Sequence, residues 1–352
     1  MLAVLGLVLI NPYRASAQLQ PRKETVTLLG QKAKVWASST LKAKDPRRYS
    51  VLNAFDGKLA TAWVEGAAGM GYGESITIEF PRPVTLSGFW LVPGYTKSLE
   101  VFLQNLAPDR MVLSVDGREV GQYTLRYVVD MDEQAPDPTC LLVKDETSLS
   151  PRLVVFPQPV SGQNIQLTFR GNAPRSRWTR YDDLAVSEWG LLSEESTHKS
   201  ARPPAQVATA AALLLGYSRS EKLPRNLFDE STEVQDVLAP SPLISADWMQ
   251  QGIRQELLRK GADETKPPLE NFETIARGAL IGAPVTVVSR PDDELQLVGS
   301  QLFSFGDGEW IEYYPSITLE GKKSIRWVGA FMSGDGAPGC HDLLPGKLSL
   351  MR

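Results

Sequence analysis

Between positions 34 and 192 the apolar residues come in short runs of six to eight, each closed by turn residues. SITIEF (75–80), LSGFWLVP (86–93), SLEVFLQ (98–104), RMVLSVDG (110–117), LRYVVD (125–130), RLVVFP (152–157) and NIQLTF (164–169) are the main ones. They are rich in Val, Ile, Leu, Phe and Tyr, and several alternate apolar with polar residues, as half-buried strands do. Asp116-Gly117 between two of them predicts a tight hairpin. Many short strands at regular spacing bury their apolar faces by stacking two sheets, so this stretch predicts a β-sandwich.

At 352 residues the chain has room for more than one domain. Apolar residues make up 42% and charged residues 22%, enough for a substantial core. The net charge of -4 and the pI near 5.5 lack the basic footprint of a nucleic-acid binder. The character changes after position 192. Residues 193–242 read as a linker with one short apolar element, 207–215. Residues 243–352 read as an α+β domain. In it, Trp248, Ile253, Leu257 and Leu258 share a face of a predicted helix over 245–260, with Ser245 as its cap. Strands return from about position 280: PVTVVSR, ELQLVGSQLFSF, EWIEYYPSITL and SIRWVGAFM. Turn signals stand at Gly306-Asp307-Gly308 and Glu320-Gly321.

The first ten residues, MLAVLGLVLI, are followed by Ala15-Ser16-Ala17. That is an apolar region and an A-x-A cleavage pattern, and it predicts a signal peptide over 1–17, cut after Ala17. No Lys or Arg precedes it, so a short N-terminal anchor is the alternative. The expectation is a secreted or periplasmic protein without a transmembrane segment in its mature chain. The two cysteines, Cys140 and Cys340, are either one disulfide or two buried thiols.

The stretch FDGKLATAWVEGAAGMGYGE (55–74) raises the question of function. Gly69, Gly71 and Gly73 suggest a phosphate loop, but position 74 is Glu and a strand follows where a helix is required. A nucleotide site is therefore rejected. The same stretch offers cation chemistry. Asp56 brings a carboxylate, Gly57 a tight turn, and Thr61 a hydroxyl. Glu188, in DDLAVSEWGL, is a candidate second carboxylate, and Ca²⁺ takes such mixed oxygens. The residues alone leave this open beside a plain Asp-Gly turn with Thr61 as a capping hydroxyl.

Ala37-Ser38-Ser39, Asn53-x-x-Asp56-Gly57 and Thr61-x-Trp63 resemble the start of a discoidin-type (coagulation factor type C) domain. Thr61 to Glu74 match T-A-W-x-E-G-x-x-G-x-G-x-G-E throughout. That pattern is similar to the glycan-binding, translocation-type domain associated with secreted bacterial NAD glycohydrolases. GYTKSLEVFLQN (94–105) and YDDLAVSEWGL (181–191) resemble later parts of the same domain. The resemblance covers about 34–192, within a domain placed at 31–192. It implies a mainly β fold: a jelly-roll sandwich of the discoidin, galactose-binding-like type, with the smaller α+β domain after it. It implies non-catalytic glycan binding by the loops at one end. It also implies a structural Ca²⁺ held by Asp56, Thr61 and Glu188. NAD hydrolysis is not implied.

Sugar rings present C–H faces to aromatics and hydroxyls to polar groups. On that chemistry Glu65, Tyr72, Tyr95, Lys97 and Trp178 are the ligand candidates, whereas Trp63, Trp90 and Trp189 are expected in the core. Catalytic groupings are sparse. The only histidines are His198 and His341. Glu309 and Glu312 would face opposite sides of a strand, which does not suit a glycosidase pair. The reading is an exported glycan- or polysaccharide-binding protein. The alternatives are an enzyme whose C-terminal domain acts on a glycan or peptide held by the sandwich, and an adaptor that binds another surface protein.

Overall fold

The computed structural model describes residues 22–125, 149–172, 179–193, 204–219, 234–235, 277–289, 295–299, 303–306, 310–320 and 324–334. The expected signal peptide, Cys140, Cys340, Trp178, the 245–260 helix and Glu309 lie outside them.

The sandwich is organised by two long antiparallel strands, β4 (Ser75–Pro93) and β7 (Arg152–Asn172). They pair from Ser75↔Thr168 to Leu91↔Arg152, with irregularities between Glu79 and Val84 and between Leu86 and Gly88. These bends carry the ribbon from one sheet into the other. In the first sheet the ribbon is flanked by β1 (Glu24–Leu28) and β2 (Gln31–Ala37) on one side. On its other side stand β5 (Pro108–Val115) and β6 (Arg118–Thr124). In the second sheet it is flanked by β3 (Trp63–Val64) and β8 (Ala185–Leu192). The sequence split both long strands in two because Pro81, Pro83, Pro157 and Gly162 sit at the bends.

Tight turns set the register. Asp116 and Gly117 take φ of 49° and 77° between β5 and β6, the left-handed pair a two-residue hairpin needs. The Asp116 carboxylate accepts from the Gln163 and Asn164 backbone N–H groups at 3.0 and 2.8 Å. Those bonds hold it below the ordinary carboxylate range and pin the hairpin to β7.

Alternation along the second sheet sorts side chains onto two faces. Phe89, Leu91, Val154, Phe156 and Leu191 face the sandwich core, where they meet Ile76, Ile78, Leu113 and Leu167 of the first sheet. Trp63 and Trp189 are buried there too. Trp90, Val92, Leu153, Val155 and Leu192 face away, into a second core. The 207–215 element is part of a 15-residue helix, α2 (Ala205–Arg219), which fills that core with Val207, Ala210, Leu214 and Tyr217. Arg277 closes the end of α2, donating to the Tyr217 and Ser218 carbonyls at 2.9 and 2.6 Å.

The C-terminal strands extend the same sheet. β10 (Val285–Ser289) pairs with β7 through Val285↔Leu153 and Thr286↔Arg152. β11 (Leu295–Val298), β13 (Trp310–Glu320) and β14 (Ser324–Gly334) follow in antiparallel order. β12 (Phe303–Gly306) pairs with β13, and β9 (Val234–Gln235) adds to β14 in parallel.

The predicted strand SLEVFLQ is instead a helix, α1 (Leu99–Gln104). Its apolar content looks strand-like, but capping decides. The Ser98 hydroxyl accepts from Val101 N–H at 3.3 Å, and Gln104 donates to Glu100 one turn earlier at 2.9 Å. No helix among the described residues is long and apolar enough to cross a membrane.

Candidate functional site

The loops that precede β4, follow β4 and precede β8 meet around the first residues of β8. Glu65 N–H donates to the Leu184 carbonyl at 3.0 Å, and Gly94 N–H to the Ala185 carbonyl at 3.0 Å. Leu106 N–H donates to Asp183 O, and Ala185 N–H returns to Leu106 O, both at 3.0 Å. The loop 38–50 joins through Leu41 N–H, which reaches Val64 O at 2.9 Å. Asn53 secures its far end, donating to the Arg48 and Ala62 carbonyls at 2.9 and 3.0 Å. Thr96 ties in the loop 56–61, donating to Leu59 O at 3.1 Å, while its N–H is held by Ser187 Oγ at 2.9 Å. Ala62, Val64 and Ala185 make a small apolar floor beneath these loops, and Leu41, Tyr49 and Tyr95 pack against it half-buried. The Arg48 guanidinium stands 5.1 Å over the Tyr49 ring.

Asp56, Thr61 and Glu188 are brought together beside this floor. Lys58 N–H lies 2.9 Å from Asp56 Oδ1 and 2.7 Å from Glu188 Oε1. Thr61 Oγ1 lies 3.0 and 2.9 Å from the two Asp56 oxygens and 2.8 Å from the Lys58 carbonyl. One hydroxyl proton cannot serve three acceptors, so the group has more oxygens than protons. Glu188 is 3% exposed. Burial first, and the Asp56 carboxylate second, push its carboxyl from the ordinary 4.5 up to about 8. Two carboxyl groups, a hydroxyl and a carbonyl gathered here fit a hard, oxygen-seeking cation, which would take the place of the Glu188 proton. Among the described residues there is no cluster of three or more His, Cys, Asp and Glu, so any cation here relies on the hydroxyl and carbonyl oxygens as well.

In the glycine-rich stretch, Gly66 and Gly71 serve close packing, while Gly69 and Gly73 serve the left-handed backbone. Gly69, Gly71 and Gly73 have φ of 108°, 70° and 87°. At Gly66 a Cβ would collide with the Thr40 carbonyl. Ser38 and Ser39 hydroxyls donate to Glu74 Oε2 at 2.6 and 2.5 Å, and Ser39 Oγ also accepts from Gly66 N–H at 2.9 Å. Glu65 lies beneath this loop and is wholly buried. Its Oε2 accepts from Ala67 N–H at 2.7 Å, while Oε1 lacks a hydrogen bond of normal geometry. Burial pushes this carboxyl up to about 6, against the lowering pull of the Ala67 and Leu184 amides.

Of the ligand candidates, Tyr95 and Lys97 stand together on the loop after β4, Tyr95 half-buried and Lys97 exposed. Tyr72 projects from the glycine loop, 58% exposed. Glu65 faces inward and supports that loop. Trp178 lies outside the described residues. Sequence reasoning missed Arg48 and Tyr49. Their one signal was an aromatic beside two arginines in PRRY (46–49), just before the buried turn Val51–Phe55.

Residues 28–190 match the NAD glycohydrolase translocation F5/8 type C domain family. No curated protein is significantly similar to the chain. Among solved structures, the family 32 CBM (carbohydrate-binding module) from C. perfringens NanJ, in complex with galactose, is similar at 13% identity and a TM-score of 0.31, over 45% of this chain and 92% of that one. A family 32 CBM from Clostridium perfringens in complex with GalNAc-β-1,3-galactose is similar at 15% identity and a TM-score of 0.32, over 46% of this chain and 95% of that one. The arabinofuranosyltransferase AftD from Mycobacteria is similar at 20% identity and a TM-score of 0.31, over 49% of this chain and 11% of that one. The chain thus carries a discoidin-like domain over residues 28–190, built as an antiparallel β-sandwich.

Proposed function

We propose that the discoidin-like domain of an exported protein binds glycan, without catalysis, through the loops around the first residues of β8. The observation that carries this is the pairing of Tyr49 and Tyr95 on one apolar floor, bordered by Arg48, Thr96 and Lys97. Flat faces that are half-buried, and so already ordered, can stack on the C–H face of a sugar at little entropic cost. The polar border offers donors to its hydroxyls. The family match to an NAD glycohydrolase translocation F5/8 type C domain supports export and a recognition role. A single such site is weak, and a polymeric ligand would strengthen it by repeated engagement.

Asp56, Thr61, Glu188 and the Lys58 carbonyl would hold a structural Ca²⁺. When bound, the ion supplies positive charge between two carboxylates. The chain's own residues then keep the loop 56–61 fixed against β8, and through Thr96 keep the Tyr95 loop in place.

The test is a glycan-array screen of the chain with and without Ca²⁺, followed by affinity measurements on the best ligand. Tyr95→Ala and Lys97→Ala are each expected to weaken binding, the former by about tenfold or more, with both variants still folded by circular dichroism. A blank array with folded protein, or full affinity in both variants, would remove the proposal.

A further inference from the structure

The loops that meet at the Tyr49–Tyr95 floor are strongly cationic. Lys42, Lys44, Arg47 and Arg48 stand on the loop 38–50, Lys58 on the loop 56–61, and Lys97 on the loop after β4. All six are exposed, and among the described residues none forms an ion pair. The three loops touch: Leu41 and Tyr49 share the floor with Tyr95, and Thr96 bonds to Leu59. The loops carry two carboxylates of their own, and both are engaged with neighbouring donors. Asp45 accepts from Arg47 N–H at 2.9 Å, and Asp56 turns onto Thr61 and Lys58 N–H. Of the other acids beside the floor, Glu65 and Glu188 are buried, and Asp182 and Asp183 stand just before Ala185.

A chain of net charge -4 has here gathered positive charge against its own sign. Like charges on touching loops repel within a screening length of about 8 Å. The repulsion is relieved when an anion docks, and the field draws that anion in. Apolar contact lies between the charges, from Tyr95 and from Leu59, which is 44% exposed. Arg48, stacked on Tyr49, presents a planar donor fork that matches a carboxylate or sulfate better than a lone hydroxyl.

Resting on the glycan-binding reading above, we infer that the ligand is an anionic glycan, carrying carboxylates or sulfates along its length. The aromatics hold sugar rings, and the six cations read the charges between them. A neutral glycan would satisfy the aromatics and leave the border unpaired.

The experiment compares matched probes on the full chain by calorimetry. One arm uses short galacturonate oligomers and their methyl esters, the other dextran sulfate and dextran, so the arms separate carboxylate from sulfate. The acidic member of one pair is expected to bind about tenfold or more tightly than its neutral partner at low salt. The preference should shrink toward parity near about 0.5 M NaCl. Lys42→Gln, Lys44→Gln and Lys58→Gln, combined, should remove the preference while leaving the melting temperature within a few degrees. Tyr95→Ala should weaken binding to both members.

Equal affinity for acidic and neutral members overturns the charge inference and leaves the glycan reading standing. Acidic binding that Tyr95→Ala does not touch is plain ion exchange and also overturns it. Binding to phosphatidylserine vesicles, with no response to any saccharide probe or to the array, sinks both readings together.

Discussion

Burial and the Asp56 carboxylate both press Glu188 toward its protonated form, and that pressure has a sign in pH. The folded protein holds this proton up to about pH 8, whereas the unfolded chain releases it near the ordinary 4.5. Between those values the native state binds more protons than the unfolded state. The Glu188 contribution is therefore full below pH 4.5 and is lost as pH rises through about 8. Glu65 adds a smaller loss of the same sign, ending near pH 6. Metal-free protein is expected to lose stability between these limits at up to roughly 1.4 kcal/mol per pH unit from Glu188. Urea titrations in chelator across that range measure it. Ca²⁺ should flatten the slope and stabilise most at its alkaline end. Glu188→Gln should remove the slope above about pH 6 and the Ca²⁺ response. A slope unchanged in that variant would put the titrating group elsewhere. Asp56 and Thr61 were legible as a pair because one turn holds them. Glu188 was less so: it meets Lys58 across 130 positions, so the sequence offered it only as a candidate second carboxylate, which the family resemblance then supported. Arg48 and Tyr49 escaped because exposed arginines in a loop look alike until the fold sets one on a ring.

Two glycines with nearly equal backbone angles separate conformation from packing at the scale of the element. Gly30, in the β1–β2 turn, has φ of 73° and open space where a Cβ would go. Gly71, in the glycine loop, has φ of 70°, but its Cβ would stand 2.8 Å from Leu184 Cβ and 3.2 Å from Glu65 Cγ. Gly30→Ala is expected to cost about 1 kcal/mol, from the left-handed backbone alone. Gly71→Ala should cost a further 1–3 kcal/mol or so, because the loop must lift off Leu184 and Glu65. Denaturant midpoints of the two variants give the comparison, and equal losses would mean that the loop is loosely packed. The same scale shows where sequence patterns work. Period-two alternation and the Asp116-Gly117 turn announced strands and a hairpin correctly, because both are local. In LEVFLQ the apolar residues pointed to a strand, while the Ser98 cap and the Glu100–Gln104 pair favoured the helix that forms.

At the scale of the molecule, the second sheet is apolar on both faces. The pattern along β4 reads as a continuous apolar run from Gly88 to Pro93, and a sequence cannot say what covers the outer side of such a run. The structure shows α2 and the C-terminal strands there. A fragment ending at residue 193 would therefore expose Trp90, Val92, Leu153, Val155 and Leu192. Each large apolar side chain so uncovered forfeits about 1.5–3 kcal/mol. That fragment is expected to bind a hydrophobic dye and to aggregate, while the full chain melts in one cooperative step over both cores. A monomeric fragment as stable as the full chain would show that α2 is dispensable.

The ribbon of β4 and β7 also decides how the molecule carries a load. The Tyr72 loop enters β4 at one end, and the Tyr95 loop leaves it at the other. A polymer that drags on either loop pulls along the strand axis. The ladder with β7 on that side of the bends, Ser75–Glu79 at one end or Gly88–Leu91 at the other, lies across that pull. Its bonds must then give way together in shear, as opposed to opening one after another like a zip. If the loops hold a polymer as proposed, the hold would be expected to resist such a pull.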